Sequence, residues 1–201
     1  MPALGRGTLL AAADGRGLRR GLSPRGRARR RLSAGLVIRP GGREDEDAIV
    51  RLLDTVFRAV FVPIVGERIV EGEYAAGRAA RWRAVLADEP STVLVAELAG
   101  DLVALAYFAG ARDADLDSAT VARVHSFHVH PARWRTGVGR RLMAALVERM
   151  REGSFREAVL WSLAENHRAN AFYEALGWVR DAAEDEWEGA AAVRYRLALA
   201  A

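Results

Sequence analysis

At Thr92 the hydrophobic period of the chain changes, and this change constrains the fold more than any other feature of the sequence. Before it, Ala48, Ile49, Leu52, Leu53, Val56 and Phe57 recur at the spacing that lines one face of a helix. The acids Glu44, Asp45, Glu46 and Asp47 open that helix, where negative charge suits the dipole. A short strand at 36–39 and the turn Pro40-Gly41-Gly42 precede it. A second amphipathic helix takes in 74–86, with Trp82, Val85 and Leu86 on its apolar side, and the apolar segment 60–66, containing Pro63, lies between the two. After the change, Thr92–Leu98 and 102–109 are β-rich runs joined by Ala99-Gly100-Asp101, which reads as a hairpin turn. A polar loop at 112–118 leads to a strand over Val121–Val129, ended by Pro131. The remainder reads as a helix at 137–151, a strand at 158–163, a short helix at 167–176, and two final strands at 178–180 and 193–199 around an acidic loop, 181–188. The order β α α β β β α β α β β, with no internal repeat, predicts a mixed α/β domain.

A chain of 201 residues has room for one such domain. Charge divides it. Residues 1–34 hold nine arginines and one acid, a net +8, so the remainder sums to −4 against the overall +4. The high pI therefore belongs to the leader, and nucleic-acid binding by the domain is not indicated. Gly, Pro and Arg interleave in 1–34 with a single short apolar patch at 9–13, too little to offset the entropy of ordering. The expectation is a disordered leader, followed by one domain over 35–201. The leader reads as an overlong gene start, a disordered tail or an Arg-rich arm. Its strongest basic run comes last, which does not suit a secretory signal. The cytoplasm is the default address, and no apolar run is long enough for a membrane helix. Without cysteine the chain has no disulfide, no thiolate metal site and no cysteine nucleophile. The four histidines have no metal-site spacing with nearby acids, and no metal is expected.

The most informative stretch runs from Phe127 to Leu142. A strand ends at a proline, an arginine-bearing loop follows, and Gly137-Val138-Gly139 opens a helix. Helix N-termini carry unpaired N–H groups and partial positive charge, so an anion is favoured there. Leu142 stands where a dinucleotide fingerprint needs its third glycine, and the absence of lysine excludes a nucleoside-triphosphate loop. A second block, Asn166-His167-Arg168-Ala169-Asn170-Ala171-Phe172-Tyr173-Glu174-Ala175-Leu176-Gly177-Trp178, has Asn166 as helix cap and Gly177 as helix stop. Ala169, Phe172 and Leu176 share its core face.

Taken together, these blocks resemble the GNAT superfamily of acetyl-CoA-dependent N-acetyltransferases. Val129-His130-Pro131 followed by Gly137-Val138-Gly139 matches the family's Val-x-Pro and Arg/Gln-x-x-Gly-x-Gly/Ala pattern, except that Trp134 fills the Arg/Gln position. The second block matches Asn-x-x-Ala-x-x-Phe-Tyr-x-x-x-Gly-Phe/Trp without a break. The resemblance implies a mixed, mostly antiparallel sheet splayed at its centre, with helices on both faces. It implies acetyl transfer from acetyl-CoA directly to a primary amine of a small molecule or peptide, in a domain able to dimerise; a CoA-binding sensor without turnover is the alternative. Phe127, His128 and Val129 would meet the pantetheine arm and the oxyanion. Trp134, Arg135, Thr136, Gly137, Val138, Gly139 and Arg140 would hold the pyrophosphate, with Asn166 as a further contact to CoA. Tyr173 would protonate the departing thiolate.

By count back from Pro131, the family's basic glutamate is replaced by Arg123. Strand alternation puts His125 on the same side as Arg123 and His128 and His130 on the other, which makes His125 the candidate base or water relay. Arg123 becomes a candidate for attracting an anionic part of the acceptor. Segments 60–77 and 181–192 would line the acceptor site. Their acids Glu67, Glu71, Glu73, Glu184, Asp185 and Glu186 lean toward a cationic acceptor.

Overall fold

The computed structural model describes residues 35–88 and 92–199; the arginine-rich leader 1–34 lies outside the described residues. Seven strands form one sheet: β1 (Leu36–Pro40), β2 (Thr92–Leu98), β3 (Asp101–Gly110), β4 (Val121–Val129), β5 (Glu157–Leu163), β6 (Val179–Trp187) and β7 (Ala190–Ala198). Their spatial order is β1-β2-β3-β4-β5-β7-β6, and every neighbouring pair is antiparallel except β4 with β5. The mixed, mostly antiparallel architecture is as expected.

Helices cover both faces because the central strands are apolar on both sides. On one face lie α6 (Val138–Glu152) and α7 (His167–Glu174), burying Leu142, Leu146, Met150 and Phe172 with Phe127 and Trp178. On the other lies α1 (Glu46–Val60), whose Ile49, Leu53, Val56 and Phe57 pack with Trp82, Leu105 and Trp161. Between α1 and β2 run α2 (Val62–Val65), α3 (Glu67–Glu71), α4 (Glu73–Ala76) and α5 (Arg78–Ala87). The single helix expected over 74–86 is thus broken at Gly77, the αR cap of α5. Gly66 and Gly72 bound α3 in other, non-helical conformations, with Gly66 at φ 86°, which suits glycine.

The acidic loop expected at 181–188 is instead most of β6. Strand signals fail on an edge that faces water. Asp185 and Glu186 stay exposed, and such charge blocks further strand pairing. Asp181 turns inward and accepts from Arg194 Nε at 2.8 Å and Arg196 Nε at 2.5 Å. Among the described residues no helix is long and apolar enough to cross a membrane.

The sheet opens at its centre. β4 and β5 pair only from Val121–Val124 to Glu157–Leu160, so β4 beyond Val124 and β5 beyond Leu160 diverge. The segment from Val129 to α6 leaves β4 at this opening, and α7 follows β5 there.

Candidate active site

The turn into α6 is shaped by two left-handed residues. A 3-10 turn over Pro131–Arg133 follows β4, then Arg135 at φ 62° and Gly137 at φ 93° swing the chain into α6. Gly137 is the N-cap residue and contributes no capping side chain, and the first intrahelical bond runs from Arg141 N–H to the Gly137 carbonyl at 3.1 Å. The amides of Val138, Gly139 and Arg140 therefore precede that bond, as helix geometry requires. No acid occupies the first turn of α6. Arg135 and Arg140 are exposed beside it, whereas Arg141 reaches back to the Leu36 carbonyl at 3.3 Å.

Trp134 has a structural task at this turn. Its indole Nε1 donates to the Val129 carbonyl at 2.9 Å, and the Arg168 guanidinium lies 4.1 Å from its ring centroid. The side chain thus ties the end of β4 to the loop and to α7.

On α7, Asn166 caps the helix as read from the sequence, its Oδ1 accepting from Ala169 N–H at 3.3 Å. Asn170, which the sequence reading did not single out, donates to the carbonyls of Leu163 and Ala164 at 3.2 and 3.0 Å and fastens α7 to the end of β5. Tyr173 is wholly buried among Phe172, Trp178 and Tyr195, with ring centroids 5.6–6.2 Å away. Its hydroxyl has no hydrogen-bond partner among the described residues.

β4 carries a bulge that sequence alternation could not register. Its pairing with β3 passes from Tyr107↔Ser126 to Phe108↔Val124, so His125 is the extra residue. Beyond it the parity is reversed. Ala122 and Val124 face the α6 side, but so do Phe127 and Val129. His128 consequently shares the α1 face with His125, contrary to the expectation that the two point apart. His125 stacks on Tyr107 at 5.2 Å, and His128 lies 5.6 Å from Phe57 and 6.4 Å from Phe61. From Phe61 the ring cluster continues to Trp187 at 5.8 Å, and from Trp187 to Tyr74 at 5.8 Å.

Residues 58–178 match the model of the acetyltransferase (GNAT) family. The chain belongs to that family. Its fold is also that of PaiA N-acetyltransferase from Thermoplasma acidophilum in complex with coenzyme A: TM-score 0.67 at 13% identity, covering 79% of this chain and 97% of that one. YncA from Salmonella typhimurium, solved with acetyl-CoA, matches with TM-score 0.59 at 21% identity over 83% and 95% of the two chains. The ribosomal-protein-S18-alanine N-acetyltransferase from Escherichia coli matches with TM-score 0.62 at 17% identity over 83% and 95%. No curated protein sequence matches.

In this acetyltransferase domain, burial sets the state of the titratable groups along β4. Burial, with Arg123 and Arg112 nearby and only Asp113 opposing, pushes His125 down to about 3. His128, wholly buried, is likewise pushed down to about 3 by burial and then by Arg78. Both imidazoles are neutral at physiological pH, and both are poor proton acceptors. Burial raises the Tyr173 hydroxyl well above its ordinary range, with Tyr195 adding to the effect, so the phenol keeps its proton.

Arg123 is not available to an acceptor. It pairs with Asp113 at 3.1 Å, and the same carboxylate accepts from Trp161 Nε1 at 2.7 Å. The acids expected to favour a cation are also partly committed: Glu71 pairs with Arg58 at 2.5 Å and Glu184 with Arg180 at 2.9 Å. The two segments named for the acceptor do converge. Arg68, Ile69, Gly72 and Tyr74 from the first and Trp187 and Glu188 from the second line one pocket of about 320 Å³ together with Arg81.

Proposed function

We propose that this domain transfers an acetyl group from acetyl-CoA directly to a primary amine, without an acyl-enzyme. The observation that carries this reading is the β4–β5 opening, flanked on the β4 side by the acid-free N-terminus of α6 and on the β5 side by α7 with the unpartnered Tyr173 hydroxyl. These features fit the co-substrate found in the PaiA and YncA structures, coenzyme A or its acetyl ester. Helix-terminal amides suit a pyrophosphate, an unpaired strand edge suits the amides of a pantetheine arm, and a buried phenol without a partner suits a sulfur acceptor.

Bound acetyl-CoA supplies an activated thioester. The amides of Val138, Gly139 and Arg140 hold the pyrophosphate, with Thr136, Arg135 and Arg140 supplying further donors and positive charge. The Phe127, His128 and Val129 segment of β4 aligns the pantetheine arm and polarises the carbonyl, and Asn166 adds a polar contact from the α7 side. Holding amine and thioester together is itself a large part of such catalysis. The amine nitrogen forms the new C–N bond as the C–S bond breaks, and Tyr173 gives its proton to the thiolate and recovers one from solvent. His125 at about 3 is too weak a base to draw a proton from an ammonium ion, so the amine enters as its free base and the displaced proton leaves to solvent.

Thiol release from acetyl-CoA, measured over a panel of amines and across pH, tests this reading. The logarithm of kcat/KM should rise one unit per pH unit up to the acceptor's own amine pKa, with the same profile in His125→Asn. Acetyl-CoA binding without turnover of any amine would exclude transfer. An acidic limb that disappears in His125→Asn would restore that histidine as the base.

A further inference from the structure

The acceptor pocket is built for negative charge. Two of its lining residues, Arg68 and Arg81, are cationic against the single Glu188, and neither arginine pairs with an acid whose side chain is described. The Arg81 guanidinium lies 4.5 Å from the Tyr74 ring centroid, which fixes its plane, and one of its Nη atoms is buried without a hydrogen-bond partner. Arg78, 3% exposed, stands 5.6 Å from the Tyr74 ring centroid and 4.8 Å from that of Phe57, with its Nε also buried and unpartnered. Asp54 pairs with Arg78 from the side of α1. Burial and the neighbouring Arg81 lower the Arg78 guanidinium to about 10. Guanidinium N–H groups withdrawn from water without acceptors are costly, and a carboxylate meeting them in the planar, forked geometry removes that cost.

Ring packing alone links the pocket wall to β4. Tyr74 and Trp187 form that wall of the pocket, and Phe57 and Phe61 stand between them and His128 on β4. Its volume, about 320 Å³, is at the small end of ligand sites and suits a metabolite rather than a folded protein surface.

We infer that the acceptor is a free amine of amino-acid size bearing a carboxylate, which Arg81, with Arg68 at the rim, holds against Tyr74 and Trp187. The inference rests on acetyl transfer to an amine at this site, as proposed above. It replaces the cationic acceptor that the acids of the two lining segments suggested.

The test compares free α-amino acids with their α-carboxamides, and with putrescine, in the thiol-release assay. The carboxamide carries the less basic amine and is the better free base near neutrality, so amine reactivity alone does not favour the acid. A charge-assisted contact predicts an acid-to-amide ratio of kcat/KM of about 10 or more. The ratio should fall to one or below in Arg81→Gln and recover in Arg81→Lys. Turnover of putrescine or of amides in preference to acids overturns the inference while leaving acetyl transfer intact, as does a ratio untouched by Arg81→Gln. If no amine is turned over, transfer itself fails. Calorimetric titration of the CoA-loaded protein with the same amino acids then decides the anion site: saturable binding weakened by Arg81→Gln upholds it, and no binding overturns it.

Discussion

Tyr173 is held by packing alone, since its ring is fully enclosed and its hydroxyl has no partner among the described residues. Stability and catalysis should therefore respond differently to its loss. Tyr173→Phe should leave the urea midpoint unchanged or slightly raised, because a buried unsatisfied hydroxyl is removed. The same variant should lower kcat by about 100-fold, the scale of a lost general acid. Equal losses in both measurements would make the residue purely structural. Gly137 makes the complementary case: its φ of 93° is open to glycine and strained for other residues, while a Cβ there meets nothing within 4 Å. Gly137→Ala should thus cost about 1 kcal/mol through backbone strain rather than a clash. If that strain is relieved by moving the α6 amides, the KM for acetyl-CoA will rise in parallel, as steady-state kinetics can show.

Among the elements, β6 was the hardest to read. Its run of acids resembles a loop until β7 is placed beside it and Asp181 is seen to serve both Arg194 and Arg196. Arg194 is only 5% exposed and also pairs with Asp115 at 2.6 Å, so the β6–β7 hairpin and the loop before β4 are tied through one guanidinium. Asp181→Asn should destabilise the fold by about 2 kcal/mol, less than a fully buried pair because Arg196 remains partly solvated. Chemical denaturation checks this, and a loss within experimental error would reduce the network to surface decoration. By contrast β4, α6 and α7 were legible almost to the residue: their ends are set by Pro131, Gly153 and Asn166, whose effects are local. The His125 bulge was not, because it exists only in the pairing with β3.

For the whole molecule, the buried His128 and the partly buried His125 shape the response to acid below neutrality. His125 and His128 are pushed to about 3 from an ordinary 6.5, so between those values the unfolded chain holds more protons than the folded one. Their contribution is complete above pH 6.5 and is lost as pH falls toward 3, each with a slope of up to about 1.4 kcal/mol per pH unit. Asp45, held down first by its hydrogen bonds from Arg39, and Asp115, held down first by Arg194, add a further loss below about pH 4. Unfolding free energies should therefore decline from pH 7 to pH 5. His128→Leu should remove about one proton from that slope and raise stability at pH 7, since neither ring nitrogen has a partner among the described residues. An unchanged slope would mean that His128 already titrates normally.

The sequence alone determined the order of the seven strands, the glycine turn at the start of α6 and the Asn166-capped helix, because periodicity, capping and left-handed glycine are decided within a few residues. It also named the two segments that meet at the Tyr74–Trp187 pocket, though not the charge of that pocket. Only the tertiary structure decided that His128 shares a face with His125, that Arg123 is spent on Asp113, and that Arg81 lies against Tyr74 in a pocket shared with Trp187. Those outcomes depend on strand register and on which side chains meet in space, as does the pairing of Arg194 with Asp115, 79 positions apart. Charge in a sequence is only potential; folding determines which charges neutralise one another and which remain for a ligand.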